Sequence, residues 1–442
     1  MSVNTIETIK PKISSSQKLE SSLIAEFEAS KDSLFGNDAL RTEAIERFSS
    51  QGFPNRKSEE YKYINFDLFM KEGFAGTANK TVTAKQVEHL MFLKNTITVV
   101  IHNGQFIPEL STVSGLTKGL TICSLAEASQ KYTSVFESSY TLATETNPDP
   151  FIALNTAMAK DGAFIRVEKN EVIEIPIHII HTSTAEKNTI IHPRNLIIIE
   201  ENAQAKIIET YATIDSTAKT FNNALTEIIV NASAIVEHYK IQDENEWGLQ
   251  VNATQVIQKQ YSVFSTHTFT LSGSLVRNNL NIILDAKDIE SHLNGLYLTK
   301  GNQIVDNHTL VDHRMPNCNS NELYKGIIDD KSSATFNGKI FVRKDAQKTN
   351  AFQSNKNILL SDDGTINTKP QLEIYADDVK CSHGTSTGKL DEEKVFYLRA
   401  RGLSEASAKK LLMHAFASEV TDMIKIDELR DFVEAKITER FE

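Results

Sequence analysis

From about Thr96 to His383 the chain is built of short runs rich in Ile and Val, separated by Asn, Asp, Gly and Lys. After about residue 160 almost no stretch of this span has helical periodicity. That feature excludes folds made of βαβ units, which need a crossover helix between parallel strands. Ile173, Ile175, Ile177 and Ile179 occupy every second position, the pattern of a strand with one buried face. Leu196–Ile199 is a continuous apolar run suited to a strand buried on both faces. Short echoes recur: Glu201–Lys206 resembles Val230–Ile235, 29 residues on, and His292–Leu298 resembles Thr335–Phe341, 43 residues on. Both spacings read as stacked coils of a β-solenoid. The rival is a large β-sandwich, and only 18 Gly and 9 Pro count against its many hairpins. A solenoid leaves open strand edges, which pairing with another subunit would cover.

The flanks have a different period. Leu19, Leu23 and Phe27 recur every four residues, as do Leu40, Ala44 and Phe48, predicting two amphipathic helices that part near Phe35-Gly36-Asn37. Gly52–Phe66 reads as a surface loop that packs Tyr61 and Tyr63 against the body. At the other end, Asp391–Arg401 carries Val395, Phe396 and Leu398, and Arg401-Gly402 is a helix stop. Ser404 is placed to cap the next helix, whose stripe is Leu412, Phe416, Val420 and Ile424. Asp427 is placed to cap a last helix bearing Leu429, Phe432, Val433 and Ile437. The expected organisation is a disordered tail (1–14), an N-terminal helical domain (15–95), a β core (96–390) and a C-terminal helical domain (391–442).

A net charge of −11 without a large basic block argues against sequence-independent nucleic-acid binding, and 8% aromatic residues give little base-stacking surface. Cys123, Cys318 and Cys381 are far apart and odd in number, so they form neither a disulfide framework nor a CxxC zinc pattern. They fit a reducing compartment. No signal pattern and no apolar run near the ~18–20 residues of a membrane span is visible. A cytoplasmic protein with no membrane contact is expected.

The chemistry concentrates in Tyr375–Leu390, which reads YADDVKCSHGTSTGKL. On a strand, Cys381 and His383 share one face. Thiolate and imidazole are ligands for zinc and iron–sulfur chemistry, yet two ligands cannot close a four-coordinate site. The plain alternative is a small buried cysteine beside a hydrogen-bonded turn histidine. A Cys–His nucleophile pair is disfavoured, because i, i+2 strand neighbours stand roughly 6–7 Å apart. Asp377 and Asp378 point to opposite faces and read as turn residues. His308, Asp312, His313 and Cys318 form a looser second cluster. There is no GxxxxGK[ST] and no GxGxxG, so nucleotide hydrolysis by this chain alone is not expected.

Glu373–Val379 followed by CysSerHisGly, Gly388, Phe396–Leu398 and Arg401-Gly402 resembles the SufB/SufD family, scaffold subunits of the Suf iron–sulfur cluster assembly machinery. Tyr324–Gly326, Phe336–Ile340, Ala346–Thr349 and Thr368–Leu372 extend the resemblance, with weaker echoes at Gly52–Tyr63 and Asp149–Ala157. The CysSerHisGly form, and the lack of a cysteine in Ser361–Thr365, resemble the SufD type. The departure is GlyThrSerThrGly after His383, where the family often reads Gly-Ala-Thr or Gly-Ser-Thr.

The resemblance implies a mainly β fold: a right-handed parallel β-helix core flanked by helical N- and C-terminal domains. It implies a non-catalytic scaffold that pairs with a SufB-type paralogue and binds a SufC-type ATPase through the C-terminal helices, with Arg401, Gly402, Leu412, Phe416 and Val420 as candidate docking residues. A homodimer is expected when the paralogue is absent. His383, with Cys381 beside it, would help hold a transient iron–sulfur cluster shared with the partner, and reduced flavin on the complex is left open. Two other readings compete with it: a secreted-type β-helix enzyme acting on polysaccharide, and a self-contained metalloprotein. The first lacks a signal peptide and a repeating Asp/Arg/Lys cluster. The second lacks sufficient Cys and His ligands.

Overall fold

A computed structural model describes residues 14–71, 73–76, 81–140 and 147–440. The tail read as disordered therefore lies outside the described residues except for Ser14, which caps the first helix. Two sheets alternate along the chain, one ending on Thr365–Ile374 and the other on Lys380–Lys389. Their coil strands run parallel to their stacked neighbours and stay in register over nearly their whole length. The result is a parallel β-solenoid of about eight turns, flanked by helices at both chain ends. Ile235 pairs with Val263, Val263 with Glu290 and Glu290 with Asn319, so each coil takes about 30 residues.

That period separates the two echoes seen in the sequence. Glu201–Lys206 and Val230–Ile235 stack: the Asn202 N–H donates to the Ala232 carbonyl and the Ile235 N–H to the Ala203 carbonyl, both at 3.0 Å. His292–Leu298 and Thr335–Phe341 do not stack, because they lie in strands of opposite sheets. Their likeness reflects a shared inward-facing glycine, not the coil repeat.

Every coil turns one flank through a residue of positive φ: Asn170, Asn202, Ser233, Tyr261, Asp288, Asn317 and Lys348, all near +60°. Non-glycine residues tolerate this region poorly, Asn and Asp best. Here the conformation lets a turn N–H donate to the next coil: Asn170 to Glu201, Ser233 to Gln260, Asn317 to Gln347 and Lys348 to Asp378. Asp378 therefore closes the last turn of this column. It and Asp377 sit in a bend, as their spacing implied.

Alternation along the strands fills the lumen with Ile197, Ile199, Ile207, Ile228, Val236 and Phe264 near the N-terminal end. The expected double burial of Leu196–Ile199 is realised: Ile197 and Ile199 face the lumen, while Leu196 and Ile198 pack under helices together with Phe136 and Tyr140.

The helices Ser15–Ser30 and Asp38–Gln51 bury Leu19, Leu23, Phe27, Ala44 and Phe48 in one cluster with Phe151, Phe221 and Leu249 of the solenoid side. A buried Arg41 ties them together, donating to the carbonyls of Ala157 (2.8 Å) and Ala159 (2.9 Å) at the end of the helix Pro150–Met158. Those are carbonyls a helix end leaves without intrahelical partners. Tyr61 is buried against Phe66 and Phe151 with the Arg277 guanidinium 3.8 Å from its ring centre, whereas Tyr63 is exposed.

At the C-terminal side, the helices Glu405–Thr421 and Asp427–Arg440 cover the outer face of the second sheet. They bury Met413, Ala417, Val420, Leu429 and Val433 against Ile208, Tyr239, Phe269 and Leu296. Ser404 caps the first of these, accepting from the Ser407 N–H at 3.1 Å, and Gly402 takes φ +97° at the stop. Asp427 is the first helical residue of the last helix; the residue before it, Ile426, accepts the opening hydrogen bond, from Arg430.

Candidate functional site

The strand Lys380–Lys389 has one neighbour, Asn350–Leu359, and Thr365–Ile374 likewise has one, Ser333–Val342. Together they form the last coil. No further coil stacks on it among the described residues, so its inward side chains stand in an open mouth. Cys381 is in register with Ala351, His383 with Gln353, Thr385 with Asn355 and Thr387 with Asn357. Ala351, Gln353, Asn355 and Asn357 are buried while Phe352 between them is exposed, which fixes the inward face. Cys381 and His383 therefore share that face, as their spacing implied.

The two residues have different surroundings. Cys381 is half-buried and packs with Ile340, Val342, Ala346, Ala351 and Ala376. Burial raises its thiol pKa, which disfavours the thiolate that binds metal. His383 is exposed on the edge strand. Of the pair, the imidazole is the better presented donor.

Beneath the mouth lies a floor of large side chains locked to glycines of adjacent coils. The inward rows read Gly295, Tyr324, Asn355 and Tyr297, Gly326, Asn357. A Cβ on Gly295 would stand 2.3 Å from the Tyr324 ring, and one on Gly326 would stand 2.2 Å from the Tyr297 ring. The Tyr297 hydroxyl bonds Asn357 Oδ1 at 2.5 Å and Asn355 Nδ2 at 3.1 Å. A third row carries Glu322 and Gln353 directly behind His383, with Gln353 Nε2 donating to Glu322 Oε2 at 2.7 Å. Burial pushes the Glu322 carboxyl up to about 7. Glu322 and Gln353 were missed in the sequence; aligning Glu322–Gly326, Gln353–Asn357 and His383–Thr387 on the coil period would have found them.

The second cluster disperses. His308 bonds Asp306 (2.9 Å) and Glu60 (3.2 Å), and Asp312 is held by Arg314 and Arg343. His313 is buried on Ser320 at 2.9 Å, and Cys318 is buried with its thiol 3.2 Å from the Ala286 carbonyl. Among the described residues no group of three or more His, Cys, Asp or Glu is arranged to hold a metal ion.

The docking candidates also separate. Arg401 and Gly402 are exposed, with the Arg401 guanidinium 5.1 Å from the Tyr397 ring centre. Leu412 and Phe416 are half-buried, Phe416 under the Lys325 ammonium at 4.1 Å. Val420 is fully buried against the chain's own sheet, so its side chain serves helix packing. Phe396, Tyr397, Leu411 and Met423 are large exposed apolar side chains of this region.

The fold is thus a parallel solenoid whose last coil is bare, with Cys381 and His383 on the inward face of that coil and helices on its flank. A family model for the SufBD core domain of the SUF iron–sulfur cluster assembly system matches residues 181–416, and one for the SufBD N-terminal region matches 20–179. The chain belongs to the SufBD family of iron–sulfur cluster assembly proteins, and is SufD-like. The iron–sulfur cluster assembly protein SufD of Escherichia coli is 29% identical over 90% of this chain and 91% of its own. A SufBD family protein of Synechocystis is 32% identical, covering 90% of each chain. The chloroplastic protein ABCI7 of Arabidopsis thaliana is 27% identical over 94% of this chain and 88% of its own. No helix among the described residues is long and apolar enough to cross a membrane.

Proposed function

We propose that this chain is a non-catalytic scaffold subunit whose bare last coil supplies half of an intersubunit site for a nascent iron–sulfur cluster. The observation that carries the reading is His383: an exposed imidazole on the inward face of the terminal strand of a SufBD-family solenoid. The cluster is cargo, so it has to be held loosely enough to leave. One nitrogen from this chain and sulfur from a partner make a weaker cage than four cysteines.

The unpaired edges of Thr365–Ile374 and Lys380–Lys389 supply backbone donors and acceptors for the strands of a SufB-type paralogue, or for a second copy when the paralogue is absent. The C-terminal helices dock a SufC-type ATPase, through Arg401, Gly402 and the exposed parts of Leu412 and Phe416. Three unpaired cysteines suit a reducing compartment such as the cytoplasm.

The test is anaerobic cluster reconstitution on the assembled complex. His383→Ala is expected to abolish stable loading, with complex formation intact by size exclusion. Loading equal to wild type would overturn the role of His383. Failure of the chain to co-purify with an ATPase subunit and a paralogue would overturn the scaffold reading.

A further inference from the structure

The segment Gly52–Phe66 lies across the outer face of the first sheet and reaches the bare last coil. Its anchor is buried. Tyr61 and Ile64 are inaccessible, the Arg277 guanidinium lies 3.8 Å from the Tyr61 ring centre, and Arg277 Nη1 donates to the Glu60 carbonyl at 2.7 Å. Asp306, on the next rung, holds Arg277 in turn. The short 3-10 turn Glu59–Tyr61 is therefore fixed over the strands Leu275–Leu284 and Ile304–His313.

From that anchor two adjacent carboxylates reach along the solenoid axis. Asn279, His308, Asn337 and Lys369 form one outward row on four successive rungs. Glu60 Oε2 is 3.2 Å from His308 Nδ1, on the second rung, and Glu59 Oε1 is 2.6 Å from Lys369 Nζ, on the fourth. Rungs lie ~4.8 Å apart, so the two ties span about 10 Å of the axis and bridge the strand Ser333–Val342 between them. Lys369 sits in the middle of Thr365–Ile374, which has a neighbouring strand on one side only. For a strand with one ladder, a tie from outside its coil is a second restraint against local opening.

His308 has a carboxylate against each ring nitrogen, Glu60 at Nδ1 and Asp306 at Nε2, the latter 2.9 Å away. Carboxylates only accept, so the doubly protonated ring suits both, and a neutral ring turns a lone pair toward one of them. Asp306 is buried and shared with Arg277, whereas Glu60 is exposed and able to turn into water. The Glu60 tie is thus the one that opens when the ring loses its proton. The charged and titratable groups around the row are Arg277 with Tyr61 and Asp149, and Lys369 with Glu59, Lys62 and Tyr63. Among side chains of these types, imidazole is the one that changes charge near neutral pH.

We propose that Glu59–Tyr61 is an axial splint that holds the bare last coil onto the solenoid, and that His308 is its pH-sensitive latch. The splint engages while His308 is charged and loosens as pH rises. It keeps the edge strand Thr365–Ile374 ordered until another strand pairs with it. The inference stands on the fold and does not depend on the cluster role proposed above.

Hydrogen–deuterium exchange on the full chain tests both halves, read as protection factors so that intrinsic exchange rates cancel. Glu59→Gln and Glu60→Gln should each speed exchange in Thr365–Ile374 about two- to fivefold, the range of an exposed ion pair. Glu59→Lys and Lys369→Glu should each lose protection alone and restore it when combined, a rescue that a purely steric role would not give. Glu28→Gln, in the exposed Lys31–Glu28 pair of the first helix, should change nothing. Wild-type protection of Thr365–Ile374 should fall between about pH 6 and 8, and His308→Asn should remove that step. Unchanged protection in both Glu59→Gln and Glu60→Gln overturns the splint, as does a loss spread evenly over Thr220–Val230 and the other coil strands. A pH step of wild-type size in His308→Asn overturns the latch.

Discussion

The two ends of the solenoid use the same strand geometry and bury their side chains in opposite ways. At the N-terminal end, Gly162–Val167 is flanked by Arg194–Ile199 on one side and by the antiparallel Leu120–Ser124 on the other, and Ala163, Phe164, Ile165 and Val167 are wholly inaccessible. At the C-terminal end, Lys380–Lys389 keeps the same register and alternation, yet nearly every residue is exposed. Burial in a stacked fold is set by what lies on the next rung, so the end without a next rung is where chemistry and partners are available. The residues follow suit. The covered end spends its inward positions on Ile and Val, and the bare end carries Cys, His and Thr.

The largest contrast is expected for ion pairs. Arg194 and Glu227 are wholly buried at 2.6 Å, and Arg194 also donates to the Tyr140 carbonyl at 2.7 Å. Arg194→Met would leave the Glu227 carboxylate buried beside the lost cation, costing about 3–5 kcal/mol of stability. Lys389→Met breaks the exposed pair with Asp362 at the bare end and should leave the urea midpoint unchanged. Equal losses in the two variants would show that the ends are not as different as their exposure.

Glycine substitutions sharpen the contrast at a smaller scale. Gly326→Ala drives a methyl into the Tyr297 ring and should cost about 1–3 kcal/mol. Gly388→Ala meets nothing within 4 Å and should be neutral. Thermal melts of the two variants read this directly.

Acid titration tests the covered interior as a whole. Burial lowers His178 and His192 to about 3 and His181 and His313 to about 4. The unfolded chain binds those protons first, so this part of the stability is present above about 6.5 and lost as pH falls. Glu244 and Glu322 are raised to about 7 and Asp161 to about 6, mainly by burial. Their contribution has the opposite sign, being complete at low pH and lost as pH rises through those values. The two sets largely cancel between about pH 5 and 6.5, and below about 4.5 the histidine loss continues, joined by that of carboxylates the fold holds low, such as Glu237 and Asp306. The melting temperature should therefore be nearly flat from pH 7 to 5 and fall steeply below 4.5.

Much of this was legible in the residues. The unbroken β period from residue 160, the isoleucine alternation and the four-residue stripes each led to the right element, and the i, i+2 rule put Cys381 and His383 on one face. The 29-residue echo does join stacked coils, but most of what depends on which coil lies above which escaped. The 43-residue echo looked like a period and joins opposite sheets. Of the expected stripe Leu412, Phe416, Val420 and Ile424, the last two are buried, but on Glu405–Thr421 Met413 and Ala417 are buried where Leu412 and Phe416 are only half-buried, because the helix rolls to meet the sheet. Glu322 and Gln353 carry no local motif. They join His383 only once 61 residues of chain are wound into two coils.

The smallest expected effect separates the two residues of the mouth. Cys381 packs on the last apolar patch of the lumen, so Cys381→Ser puts a hydroxyl against Ile340 and Ala376. Because the site is half open, the loss should stay below about 1 kcal/mol. His383 contacts no such patch, and His383→Ala should leave the melting temperature unchanged. If the imidazole is the donor and the thiol the packing residue, cluster retention on the complex should reverse this order, nearly intact in Cys381→Ser and lost in His383→Ala. Retention lost equally in both would make Cys381 a ligand. The half-buried thiol would then have to turn out of its patch when the partner docks, because burial as it stands disfavours the thiolate a cluster needs.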